Sequence, residues 1–535
     1  MDNAETRELQ PLQLGAWNYY FIAKFLLFWR DFIGFHPLEN MAFAAFLAAP
    51  IGKPAWRRAR VAIAVPIALG LLYYDSWLPP LNRVLSQANL LSNFSAGYVF
   101  ELLGRIVSIP TIALLVLGWA VCRITAQYIR IGFVVGATLV ALAVSGAVHQ
   151  STQPMVAATD SQKTATANVS GNTGDLDAAL QDFYAKEALR TVKFAKANGS
   201  VPFDIIFIQI CSLSWDDMQD IGFDKHPFWN NFDFIFHRFN SAASYSGPAA
   251  IRLNRATCGQ TSHQALYAQA PDQCLLMPSL KQSGFDSALA FNHDGHFDDF
   301  LTLVRKQGLS TTPLTSLDGL TPQLRSFDNS PVFDDLDVLS RWFGERQKSD
   351  NARVALFYNT ITLHDGSRFV SGPASKLSSQ DSYKLRAEKL FSDLTGFLEQ
   401  IQKSGRRAVV VIIPEHGAAR RGDKFQFAGL REIPTPAITT VPVGIKIIGP
   451  DANRQGSSSQ IDTQISYLGL SKLVSNLIDK SPYGSGGFSP ADYVADLPGT
   501  GHVAENEGAT VMENGGKFFL KLGQDNWQEY SAPGR

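Results

Sequence analysis

The sequence predicts an α/β protein in two parts: a bundle of about five transmembrane helices over residues 1–149, then a soluble domain with a mostly parallel sheet flanked by helices. Three observations carry this. Apolar blocks of bilayer-spanning length crowd the chain before His149 and then stop. Residues 150–174 are rich in Ser, Thr, Asn, Gln and Ala without apolar periodicity, the composition of a solvated linker. From Asp175 onward, short β-branched runs alternate with helical patterns, and the remaining length suffices for one large domain over 175–535.

Trp17 to Phe35, Val61 to Leu78, Ile106 to Cys122 and Ile131 to Val148 are each about long enough to cross hydrocarbon, and Met41 to Ile51 is a shorter fifth candidate. Lys24 and Arg30 fall inside the first block, where long basic side chains reach for an interface. Lys53, Arg57, Arg58 and Arg60 precede the block at Val61, and Arg123 and Arg130 separate the last two, so both loops are expected in the cytoplasm. Everything after His149 then lies outside. Omitting the fifth candidate moves only the N-terminus. Met1 to Gln13 is acidic and polar, without the basic region of a cleavable signal peptide.

In the soluble part, Asp175 is placed to cap a helix carrying Leu180, Phe183, Tyr184, Ala188 and Val192, stopped at Asn198-Gly199. Phe203 to Ile210 reads as a buried strand, and Phe234 to Phe239, Ser287 to Phe291 and Arg353 to Asn359 read as further strands. Gln380 to Lys403 is an amphipathic helix with Leu385, Leu390, Phe391, Leu394, Leu398 and Ile401 on its stripe, ended by Gly405. Val409 to Ile413 is a continuous apolar run, Val443 to Ile448 another strand, and Ile465 to Ile478 a helix.

The formal net charge of −1 argues against nucleic acid as the main partner. Four cysteines are too few for a disulfide scaffold. Cys258 and Cys274, in a loop-rich region, are expected to pair, which requires an oxidising compartment and so tests the predicted topology.

Reactive side chains gather at the ends of the predicted strands. Val409 to Gly417 reads VVVIIPEHG, so Glu415 and His416 sit where open α/β sheets place their ligands, and carboxylate beside imidazole suits a divalent transition metal. Cys211 follows Ile210, and His364 follows the strand ending at Asn359. After Phe239 comes NSAASYSGPAAIRL, in which Gly247-Pro248 places the Ser246 hydroxyl at a helix N-terminus, where free N–H groups favour an anion. Taken alone, a strand-end pair or an ordinary helix cap accounts for each of these. Together, Cys211, Ser246, Glu415 and His416 offer zinc one thiolate, one imidazole, one carboxylate and one hydroxyl to be activated. In NHDGHFDD, His293, Asp294, His296, Asp298 and Asp299 read as a solvated loop, His502 as a loop histidine, and Asp216 and Asp217 as helix caps.

The strand entering ICSLSWDD, the SAASYSGPA loop, LHDG, IPEHG and the ISYLGLSKLVSNL helix resemble the alkaline phosphatase superfamily of metal-dependent phosphotransferases. With the early spans, the chain resembles more narrowly the bacterial cellulose phosphoethanolamine transferases of that superfamily. The resemblance implies an inner-membrane protein with a periplasmic alkaline-phosphatase-like domain. It would move phosphoethanolamine from phosphatidylethanolamine to glucose 6-hydroxyls of cellulose, in company with the cellulose synthase complex. Ser246 is then the nucleophile; Cys211, Glu415 and His416 hold zinc with it; His364 acts as acid or base near the leaving group; Arg431 faces the phosphate; Tyr245 is a weaker substrate contact. The lipid A phosphoethanolamine transferases, also similar, use a threonine nucleophile and several disulfides, which favours the cellulose branch here. Two alternatives stand beside this: the same site serving another envelope acceptor or water, and a non-catalytic scaffold of a cellulose secretion complex.

Overall fold

The strands form where β-branched and aromatic residues run without interruption. In the computed structural model, which describes residues 14–29, 33–50, 54–76, 94–106, 109–125, 131–151, 173–197, 201–423, 425–523 and 526–531, they build one central sheet. Its members are β1 (Asp204–Ile210), β2 (Phe234–Asn240), β3 (Asp286–Phe291), β4 (Val354–Thr360), β5 (Ala408–Pro414), β6 (Thr440–Ile448) and β7 (Ser459–Ile461). The order is β7-β2-β6-β5-β1-β4-β3. β6 runs antiparallel to β2 and β5, and every other neighbouring pair is parallel, so the sheet is mixed.

β1, β4 and β5 are buried at every position, as continuous apolar runs in the middle of a two-faced sheet require. Alternate residues feed two cores. Ile205, Phe207, Val409 and Val411 pack with Leu253, Leu276 and Leu470 on one face. Ile206, Ile208, Val410 and Ile412 pack with Leu390, Leu394 and Ile401 on the other. The second set comes from the helix Ser379–Ser404, capped by Ser378 and closed by Gly405 at φ 69°. Leu385 is not on its buried stripe: it is exposed, and Arg386 is buried instead, donating to the carbonyls of Thr362 and His364. Two small sheets complete this unit: Val503–Asn506, Ala509–Asn514, Lys517–Leu522 and Gln528–Tyr530 as one, and Pro322–Arg325, Pro331–Phe333 and Arg368–Phe369 as the other.

The first helix of this part spans Thr173–Glu187, so Asp175 lies inside its first turn rather than at the cap. It ends before Ala188 and Val192 because the chain there turns to pair with the loop beyond Asn254: Thr191 bridges Cys258, and the Val192 N–H donates to the Thr257 carbonyl at 2.8 Å. Asn198-Gly199 lies outside the described residues, as do residues 152–172 of the expected linker.

The chain forms two compact units. One comprises Met1–Ala88, Leu102–Val169 and Lys424–Gln426; the other comprises Asn89–Glu101, Ser170–Asp423 and Phe427–Arg535. The N-terminal unit contains the helices Trp17–Trp29, Pro37–Ala48, Pro54–Asp75, Ile109–Thr125 and Ile131–Ser151, around a core that includes Phe21, Phe25, Phe43, Leu47 and Leu139. Lys24 is buried against Asp75, and Asn40 bonds to both. A charge within an apolar helix has thus found an opposite charge. Arg30, Lys53 and Arg130 lie outside the described residues. Each apolar block of the sequence contributes a helix, although among the described residues no helix is long and apolar enough to cross a membrane.

Candidate metal centre

The register of the sheet assembles the site. Ile210 of β1 pairs with Pro414 of β5 and with Thr360 of β4, so the next residues, Cys211 and Glu415, emerge side by side. The ladder continues past the strands: Cys211 N–H donates to the Thr360 carbonyl at 3.0 Å, Glu415 N–H to Ile210 at 2.8 Å, and Leu213 N–H to His416 at 2.7 Å. Ser212 is forced to φ 65°, the left-handed region that costs a non-glycine residue about 1–3 kcal/mol. Its carbonyl accepts from the Tyr383 hydroxyl at 2.6 Å and its Oγ from Arg431 Nη1 at 3.0 Å, which hold that conformation.

Cys211, Glu415 and His416 are fully buried, and one ligand atom from each lies within 4.8 Å of the others. Sγ of Cys211 is 3.9 Å from His416 Nε2, and Glu415 Oε2 is 3.8 Å from the same nitrogen. His416 Nδ1 donates to the Gly417 carbonyl at 2.8 Å, which sets the tautomer and leaves Nε2 with its lone pair facing the thiol and the carboxylate. Glu415 Oε1 accepts from Asn359 Nδ2 at 2.6 Å, whereas Oε2 is buried without a protein partner. An orphaned buried carboxylate oxygen, a bare imidazole nitrogen and a thiol converging on one point fit a tetrahedral cation of the zinc type. Burial and the neighbouring Glu415 push the Cys211 thiol up to about 12, and burial also raises Glu415 and lowers His416.

Ser246 opens the helix Ser246–Asn254, and its Oγ lies 3.4 Å from Cys211 Sγ. Tyr245, at the N-cap, donates its hydroxyl to Glu432 at 2.7 Å, and its ring lies under the Arg431 guanidinium at 5.4 Å. Arg431 is buried, with Nη1 3.3 Å from His416 Nδ1. His364 is partly buried, stacked near Phe327 and Phe297, and its Nδ1 donates to the Asp365 carbonyl at 2.6 Å. Burial and the charge of Arg431 lower it to about 4, so it is neutral at pH 7 with Nε2 as its open atom.

Four of the other acidic and histidine residues, His293, Asp216, Asp217 and His502, are used structurally. His293 Nε2 donates to Asn359 Oδ1 at 2.9 Å and its Nδ1 accepts from Gly295 N–H at 3.0 Å, which leaves no lone pair for a metal. Ser214 and Asp217 form a capping box, and Asp216 pairs with Arg421. His502 is buried against Thr439 and Phe518. Cys258 and Cys274 form the expected disulfide, with Cα atoms 4.9 Å apart.

Sequence reasoning missed two groups. Asn359, which positions Glu415 and His293, is a polar residue near the end of a buried strand, and that position was the available signal. The second is Phe94–Glu101, which belongs to the same compact unit as the sheet although the chain from Leu102 belongs to the N-terminal unit. Tyr98 donates to Asp365 Oδ2 at 2.9 Å, and Glu101 accepts from Ser379 N–H at 3.1 Å and pairs with Arg368. Tyr98 also packs on Phe327, whose ring covers His364. Nothing in the residues of that stretch announces this contact.

This fold and this donor set define an α/β protein with a buried thiol, carboxylate and imidazole cluster that could hold a metal ion, beside a helix-terminal serine. Comparison with known proteins gives the family. Residues 158–527 match the family model described as the cellulose biosynthesis protein BcsG C-terminal domain, and residues 17–144 match the BcsG N-terminal domain. The cellulose biosynthesis protein BcsG of Salmonella typhimurium is 39% identical over 97% of this chain and 96% of its own length, and that of Escherichia coli is 38% identical over the same shares. A solved alkaline phosphatase superfamily protein from Vibrio parahaemolyticus is similar at 12% identity and a TM-score of 0.47, over 66% of this chain and 87% of that one. The chain belongs to the cellulose biosynthesis protein BcsG family.

Proposed function

We propose that this chain is a membrane-anchored, zinc-dependent phosphoethanolamine transferase of the alkaline phosphatase superfamily, moving phosphoethanolamine from phosphatidylethanolamine to cellulose glucose 6-hydroxyls through a covalent adduct on Ser246. The observation that carries it is the placement of the Ser246 hydroxyl at a helix N-terminus, 3.4 Å from the thiol of the buried ligand cluster. Cys211, Glu415, His416 and Ser246 would hold the zinc. The ion, when bound, supplies Lewis-acid charge and a lowered pKa for the hydroxyl.

Ser246 Oγ forms the new bond to phosphorus while the bond to the diacylglycerol oxygen breaks. The serine proton passes to that oxygen through His364 Nε2, the atom left open by the bond from Nδ1 to Asp365. In the second half, a glucose 6-hydroxyl attacks the adduct and its proton returns to Ser246 by the same nitrogen. Arg431, buried beside the cluster and braced on Tyr245, neutralises the phosphoryl oxygens in both halves.

Residues 1–149 form the membrane part, 150–174 the tether, and 175–535 the periplasmic domain, beside the cellulose synthase complex in the inner membrane. Support comes from large apolar side chains turned outward in the N-terminal unit: Val61, Ile63, Val65 and Leu69 on one helix, and Phe133, Val134, Val140 and Val144 on another. It comes also from the disulfide, and from Asn89–Glu101, which the charge pattern puts outside and which clusters with the domain after residue 170. The test is intact-mass spectrometry of the full chain in detergent after exposure to phosphatidylethanolamine. One phosphoethanolamine adduct mapping to Ser246 is expected; no adduct, or one elsewhere, refutes the reading.

A further inference from the structure

A second polar site lies at the other end of the Ser246–Asn254 helix. A cavity of about 270 Å³ is lined there by Glu187, Arg252, Arg255, Tyr467 and the Cys258–Cys274 disulfide, among others, and by none of Cys211, Ser246, Glu415 or His416. Arg252 is only 4% exposed. Its Nη1 donates to the Thr261 carbonyl at 3.0 Å, while Nε and Nη2 have no protein partner. Those two nitrogens are the side-on fork of the guanidinium, whose parallel N–H bonds match two oxygens of a carboxylate or phosphate.

A buried guanidinium without an anion is strongly disfavoured. No carboxylate bonds to the fork: Glu187 pairs with Arg190 and accepts from Gln260 N–H at 2.9 Å, and Glu505, whose charge acts on Arg252 through space, accepts from His263 N–H. Arg255 adds a second positive charge to the wall, and the Tyr467 hydroxyl, in a residue 5% exposed, is likewise without a partner. We propose that this cavity binds the carboxylate or phosphate group of a small molecule, held side-on by the Arg252 fork with the Tyr467 hydroxyl as a further donor. Arg252 follows Ser246 by six residues, under two helical turns and about 9 Å along the axis, so an occupant there touches the same helix that carries the candidate nucleophile. The proposal stands independently of the transferase reading.

The test is equilibrium binding of inorganic phosphate and, separately, malonate to the full chain in detergent, in an Arg431→Ala background that silences the buried guanidinium of the candidate metal centre. Saturable one-site binding of at least one probe is expected, and the stronger arm tells whether the cavity takes phosphate or carboxylate. Arg252→Lys keeps the charge but not the fork, and weakens binding at least tenfold. Tyr467→Phe weakens it about threefold, and Arg252→Met abolishes it. No saturable binding of either probe overturns the proposal, as does binding unchanged in Arg252→Lys and Tyr467→Phe, whether or not Arg252→Met folds.

Discussion

Cys211 Sγ and Ser246 Oγ stand 3.4 Å apart, one at the end of β1 and the other at the start of a helix that follows β2. A cation taking the thiolate therefore touches the hydroxyl as well. Ser246→Ala removes only one of four donors and leaves the buried three intact. The variant is expected to fold and to keep most of its zinc by elemental analysis, while forming no adduct with phosphatidylethanolamine. Full transfer by this variant would remove Ser246 as nucleophile.

On the proposed reading, zinc content is expected to depend on Cys211 and on the side chain that orients Glu415. Cys211→Ser replaces a soft ligand with a poor one and is expected to lower zinc affinity sharply. Asn359→Leu leaves the ligands in place but deletes the 2.6 Å bond to Glu415 Oε1, and the loss of such a supporting partner typically costs about 10–100-fold in affinity. Competition with a zinc-chelating dye measures both. Unchanged affinity in Asn359→Leu would mean that backbone geometry alone positions the carboxylate.

His364→Ala separates proton transfer from site geometry. General acid–base catalysis typically contributes about 10²–10⁴-fold, and the need for it depends on the leaving group. With a p-nitrophenyl phosphoethanolamine donor, the variant is expected to retain much of its rate of adduct formation; with the lipid donor it is not. Equal losses on both donors would reassign His364 to holding the site together.

Acid sensitivity is expected from His502. Burial lowers its pKa to about 3, so between that value and the ordinary 6.5 the unfolded chain binds a proton that the folded chain does not. Stability from neutral His502 is complete above about pH 6.5 and falls by about 1.4 kcal/mol for each pH unit below it, until the folded pKa is reached. Thermal unfolding at pH 7.5 and 5.5 should show a smaller drop for His502→Gln than for the parent chain. Equal drops would place the sensitivity elsewhere.

The parts of the fold that were legible share one property: the signal is local. Val409 to Ile413 is β-branched throughout and could be little but an inner strand, and Glu415-His416 at its end followed from that. The direction of β6 was not legible in the same way, because an apolar run has no polarity. The readable clue lay between the strands: among the described residues of 415–439 the one helix is the short Pro436–Thr439, and a connection without a long crossover helix suits an antiparallel neighbour. Helical spacing through Ala188 and Val192 misled for the opposite reason, since pairing with Thr257 and Cys258 outweighed local periodicity. Asn359 and Tyr98 act through contacts with residues far along the chain, and no window of sequence contains those.

Tyr98 and Glu101 bear on what a fragment can report. A chain shortened to begin at Ser170 retains the strand ends, the candidate ligand cluster and Ser246. It lacks the phenol that donates to Asp365 and the carboxylate that meets Arg368 and Ser379, so the loop carrying His364 is released on one side. Rate constants measured on such a fragment describe a chain whose His364 loop has lost the contacts that Tyr98 and Glu101 make with it and with its neighbours.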